Sequence, residues 1–160
     1  MTDKNTQIEV HTYNWGPCLI KVNILEDFRN ILLEEAKKTE MDFKGKLAGQ
    51  LANERGYSEQ QREKIIPYLS PYLGVYDEAF QRFQNKRFEK KPEYTLTALW
   101  CNFQRPHEFN PPHDHDGKLS FVIYLSIPEP LKKENAEYKG RSCGPGGIQF
   151  MYGEGPRDCV

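Results

Sequence analysis

The chain has 160 residues, of which 38% are hydrophobic, 12% aromatic and 28% charged, and its formal net charge at pH 7 is −1. That length suits one domain with a core of its own, and the aromatic content argues against a disordered chain. The balanced charge gives no electrostatic case for nucleic acid or an anionic membrane, and no apolar run approaches the roughly 18 residues of a membrane-spanning helix. The first residues, Met1 to Gln7, are polar and carry no secretory apolar run, so a cytoplasmic protein is expected. Cysteines 18, 101, 143 and 159 lie too far apart for a CxxC zinc or redox pair. Their even number permits disulfides, but reduced thiols are the plainer expectation for a cytoplasmic chain.

In chain order, 8–13 alternates apolar and polar residues, Asn14, Trp15, Gly16 and Pro17 make a turn, and 18–22 resumes the alternation, which predicts a hairpin. Leu25, Phe28, Ile31, Leu32 and Ala36 then fall at helical spacing, predicting a helix over about 26–39. Residues 43–57 suggest a short helix or an ordered loop. Ser58 with Gln61 reads as a capping box opening a second helix, which Pro67 and Pro71 are expected to interrupt before helical spacing resumes over 72–85. Residues 86–91 are basic but interleaved with Glu89, and read as a solvated turn. Three runs rich in β-branched and aromatic residues, 94–104, 119–127 and 147–152, predict strands. Helices followed by strands suggest an α+β or mainly β fold.

The segment with chemical promise is Asn110, Pro111, Pro112, His113, Asp114, His115, Asp116 and Gly117, which holds two of the four histidines. In extended backbone, residues i and i+2 point to one side, so His113 and His115 can present both imidazoles to one ion. Imidazole with carboxylate suits Fe(II), Zn(II), Mn(II) or Ni(II). Asp116 turns inward only if the turn at Gly117 shifts the register. The bland alternative is a polar loop with exposed histidines. His107 reads as an exposed loop residue rather than a ligand, and Gln104, Arg105, His107 and Glu108 are placed to line the approach of a substrate.

Trp100, Cys101, Asn102, Phe103 and Gln104, then the 110–117 segment, then 119–128 together resemble the Fe(II)- and 2-oxoglutarate-dependent oxygenases, in particular a small prolyl-hydroxylase-like branch often encoded by tailed phages. Residues 147–154 resemble the next core strand and its turn, with support from the N-terminal hairpin and from Leu47, Ala48, Gly49 and Gln50. The resemblance implies a double-stranded β-helix, a jelly-roll with a metal at one mouth and supporting helices outside. It divides one 1–160 domain into a hairpin (1–24), helical support (25–91) and jelly-roll strands with the metal loop (92–160). By position it makes His113 and His115 iron ligands, with Asp116 the alternative second ligand. It also makes Asn102 and Tyr124 contacts to 2-oxoglutarate; a backbone-bonding Asn102 and a core Tyr124 with a satisfied hydroxyl are the plain alternatives. The implied reaction hydroxylates a C–H bond of a substrate, with a prolyl or other peptide side chain among the candidates, and releases succinate and CO2.

The chain also departs from the family pattern. The second ligand position holds His115 where Asp or Glu is commonest, no His follows it, and the only later Arg residues are Arg141 and Arg157. The jelly-roll is therefore expected to be C-terminally incomplete, by truncation or by a different closure. Glu154 or Asp158 could improvise a third ligand. A homodimer or complementing chain is expected to cover an open sheet edge. Alternatives from other classes are a non-catalytic binding module that holds metal weakly or not at all, and an interaction protein with aromatic-rich helices.

Overall fold

The computed structural model describes residues 10–14, 16–43 and 51–152. Its elements in chain order are β1 (Val10–Asn14), β2 (Cys18–Val22), α1 (Glu26–Lys38), β3 (Glu54–Gly56), α2 (Glu59–Gln84), β4 (Trp100–Asn102) and α3 (Glu129–Glu137). They divide into two compact units, Met1–His113 and Asp114–Val160.

In the first unit β1 and β2 form the expected antiparallel hairpin, with Asn14 opposite Cys18 at its closed end. Ile8, Glu9 and Trp15 of the predicted hairpin lie outside the described residues. The apolar stripe of α1 buries Phe28, Leu32 and Ala36, and α2 faces it with Ile65, Leu69 and Tyr72. Burying one such side chain contributes roughly 1.5–3 kcal/mol, so this helix pair is the main apolar core of the unit. Phe28 stacks on Tyr72 at 5.3 Å, and the Tyr72 hydroxyl accepts the Leu25 N–H at 2.8 Å, pinning the start of α1.

The capping box is present: Ser58 Oγ accepts the Gln61 N–H, and Gln61 Oε1 accepts the Ser58 N–H at 2.9 Å. The predicted interruption is not present, because α2 runs through both prolines. Pro67 and Pro71 lie four residues apart and both are exposed, so the lost N–H donors and the ring strain fall on the solvent side. The buried positions Ile65, Leu69 and Tyr72 keep the other face packed, which offsets that loss. Within 43–57, where a short helix or an ordered loop is expected, the structure has β3 at Glu54–Gly56, while 44–50 lies outside the described residues.

The expected double-stranded β-helix is contradicted. Among the described residues the strands form only two two-stranded antiparallel sheets, β1–β2 and β3–β4. Of the 94–104 run only Trp100–Asn102 pairs, and its partner is Glu54–Gly56 rather than another of the predicted strands. The runs 119–127 and 147–152 carry no strand, and the unpredicted α3 stands between them. Strand-type composition makes a strand only where a neighbour accepts its backbone hydrogen bonds, and these runs join no ladder among the described residues. In the first unit α1 and α2 pack on one another rather than buttressing a large sheet.

Candidate functional site

The β3–β4 ladder sets Glu54 opposite Asn102, Arg55 opposite Cys101 and Gly56 opposite Trp100. The Phe103 N–H to the Asn53 carbonyl, 2.9 Å, continues it toward the histidine segment. Gly56 is required by close packing: a Cβ there would sit 2.5 Å from the Phe43 ring, which itself stacks on Trp100 at 5.9 Å. The Arg55 guanidinium lies 5.4 Å over the Phe103 ring and donates from Nε to Asn53 Oδ1 at 2.9 Å, holding the strand end flat.

Asn102 is half-buried at the end of β4, and its Oδ1 is shut from solvent without a hydrogen bond among the described residues. An acceptor oxygen repels a dicarboxylate, so only its Nδ2 donors suit 2-oxoglutarate. Next to it, burial pushes the Cys101 thiol above its usual range, while the Tyr57 phenol in hydrogen-bond contact pulls the other way. A neutral, half-buried thiol is a poor nucleophile, and Cys101 belongs to the packing. The Tyr57 hydroxyl donates to the Leu32 carbonyl at 2.9 Å, and burial holds its pKa well above the ordinary phenol value.

From Phe103 the chain turns at 105–108. The Glu108 N–H donates to the Arg105 carbonyl at 3.2 Å, and His107 takes a left-handed φ of 67°. His107 is an exposed turn residue, as its distance from His113 in sequence led us to expect. Beyond it, His113 is exposed, and its Nδ1 lies 2.7 Å from the Pro111 carbonyl. A carbonyl there requires the proton on Nδ1 and puts the ring lone pair on Nε2.

In the second unit His115 and Asp116 are exposed, and the chain turns at Gly117, whose φ of 97° is a conformation glycine tolerates. The Tyr124 hydroxyl donates to the Gly146 carbonyl at 3.1 Å, and burial raises its pKa above the phenol norm. Of its plain alternative, a core tyrosine with a satisfied hydroxyl, the hydrogen bond is present, but the residue is 48% exposed and in no strand. Of the expected site residues, Asn102 and His113 thus belong to the first unit, and His115, Asp116 and Tyr124 to the second. Among the described residues no three His, Cys, Asp or Glu side chains come together to hold a metal ion. Glu154 and Asp158 lie outside the described residues.

In the sequence Glu108 reads only as a residue lining the approach of a substrate. Its carboxylate in fact reaches Ala52, far away in the chain, and only the turn signature Arg105, Pro106, His107 hinted at local structure. Compared with protein-family models, curated proteins and solved structures, the chain matches none.

Proposed function

We propose that this chain binds Fe(II) through His113 and His115 and uses 2-oxoglutarate as cosubstrate to hydroxylate a C–H bond of a peptide side chain, prolyl among the candidates, in the cytoplasm. The observation that carries this reading is the Pro111 carbonyl 2.7 Å from His113 Nδ1. Ligating histidines characteristically donate their second ring N–H to such an acceptor, which orients the ring and raises the basicity of the ligating nitrogen. Pro111 and Pro112 restrict the backbone on the approach, so less freedom is lost when the imidazole is fixed. His115 follows after one residue, within about 7 Å of chain, so chain length alone lets both imidazoles serve one ion. Asp116 is the alternative second ligand.

Iron with a bound 2-oxo acid supplies oxidative chemistry that zinc, having no redox states, does not. Imidazole nitrogen is a donor that suits such an ion. The third protein ligand of the resembled family has no counterpart among the described residues. What the chain's own residues do is therefore limited to holding and orienting metal at Nε2 of His113 and at His115.

A second reading, a non-catalytic binding module, draws on the apolar side chains that stand exposed in the second unit, among them Phe121, Val122, Phe150 and Tyr152. An anaerobic titration with Fe(II) and then 2-oxoglutarate separates the two. The oxygenase reading expects a visible charge-transfer band that disappears in His113→Ala and in His115→Ala. If Asp116→Ala abolishes it and His115→Ala does not, the second ligand is Asp116. No band from folded protein leaves the binding module.

A further inference from the structure

The loop that delivers His113 is exposed, yet one residue ties it down at several points, through its carboxylate and its backbone. Glu108 Oε1 accepts the Ala52 N–H at 3.0 Å, across 56 residues of sequence, and Oε2 accepts the Arg105 N–H at 2.7 Å. The Glu108 carbonyl accepts from Gln104 Nε2, and its own N–H donates to the Arg105 carbonyl. Hydrogen bonds to a carboxylate are stronger than neutral ones; the Arg105 bond closes the 105–108 turn on itself, and the Ala52 bond fastens that turn to the segment directly before β3. Leu51, directly before Ala52, is 1% exposed, so the anchor point is itself fixed in the core. On the other side only Phe109, Asn110 and the two prolines separate Glu108 from His113.

We infer that Glu108 is a positioning residue for metal capture at His113: its carboxylate anchors the loop to the 51–53 segment, so that the imidazole is presented from a fixed base. This rests on the metal reading above. The residues the carboxylate holds are outside the helix core, since neither Ala52 nor Arg105 is buried. Its removal therefore acts on the loop before it acts on the fold.

The test titrates the wild type, Glu108→Ala and Glu108→Gln with Co(II) alone, following the visible ligand-field bands, with urea unfolding alongside. Glu108→Ala is expected to weaken Co(II) binding by about 10-fold or more, the usual scale for losing support behind a ligand, and to shift the band envelope. Glu108→Gln, whose amide oxygen still accepts one N–H, is expected to recover part of the loss. The urea midpoint stays close to wild type in both. Equal Co(II) affinity in wild type and Glu108→Ala overturns the inference while leaving the metal reading standing. A wild type that takes up no Co(II) overturns the metal reading itself, and the inference with it. Should Glu108→Ala fold poorly, Glu108→Gln carries the comparison, and unchanged bands and affinity in that variant count against the inference.

Discussion

The two units invert the expectation raised by their compositions. The longest apolar run in the strand-like half, 119–127, lies in the second unit, yet no described residue from 114 to 152 is buried. The first unit draws its core from ordinary amphipathic helices and even buries polar groups: Glu35, Thr39, Gln61 and Asp77 are all 9% exposed or less. Each has a partner that makes this tolerable. Glu35 is paired with Lys38 at 2.9 Å, Thr39 Oγ1 donates to the Gly56 carbonyl at 2.6 Å, Gln61 Nε2 donates to the Glu35 carbonyl at 2.8 Å, and Tyr94 donates to Asp77. For these four groups burial goes with a facing element and a hydrogen-bond partner rather than with residue hydrophobicity.

The sharpest way to break this contrast is to truncate one apolar side chain in each unit. Leu32→Ala, at a site 2% exposed between α1 and its neighbours, is expected to lower the unfolding free energy by about 2–5 kcal/mol. Val122→Ala, at a residue 56% exposed, is expected to change it by less than about 0.5 kcal/mol. Urea unfolding followed by circular dichroism reads both. A Val122→Ala loss as large as that of Leu32→Ala would mean that the second unit has a core of its own.

A medium effect tests how the first unit tolerates its buried polar groups. Burial raises the folded pKa of Tyr57 above its ordinary value of 10.0. The sign follows from linkage: its contribution is whole below about pH 10 and is lost as the pH rises beyond it, because the unfolded chain ionises first. Tyr57→Phe removes the bond to the Leu32 carbonyl, which costs about 1 kcal/mol at neutral pH. The variant should also lose part of the alkaline fall in stability, only part because Tyr76 and Tyr94 are shifted in the same direction. An alkaline slope identical to wild type would remove Tyr57 from this account.

How far the sequence could be read follows the same division. The α1 stripe and the Ser58–Gln61 box are local signals, carried by spacing within a few residues, and both elements formed. Pro67 and Pro71 misled because their effect depends on which face they occupy, and that face is set by packing of α2 against α1. The runs 119–127 and 147–152 misled for a stronger reason: a strand is a relation between two segments, and composition describes only one of them. Helix α3 was missed because Leu131 is its only apolar residue even half-buried, leaving no period to read; Pro130 in its first turn and the Glu129–Lys132 pair were the available signs. Of the site, the histidine spacing was legible, while the long-range clasp of Glu108 on Ala52 was not, since nothing in 105–108 specifies a partner 56 residues away.

The smallest effect probes what organises the second unit in place of a core. Its ties are polar: Asn135 Nδ2 donates to the Cys143 and Pro145 carbonyls at 3.2 and 2.8 Å, the Tyr138 hydroxyl meets Ser142 Oγ at 2.8 Å, and Tyr124 bonds the Gly146 carbonyl. All are exposed, where water competes for every donor and acceptor, so each contributes little. Tyr124→Phe keeps the ring and deletes only the hydroxyl, and is expected to shift stability by under about 0.5 kcal/mol. Tryptic cleavage after Lys139 and Arg141, just outside the 144–147 turn that this bond holds, should accelerate by about twofold or less, the rate change such a free energy allows. A tenfold faster cut would mean that the Tyr124 bond closes a cooperative structure, and that the contrast between the two units is one of exposure and not of order.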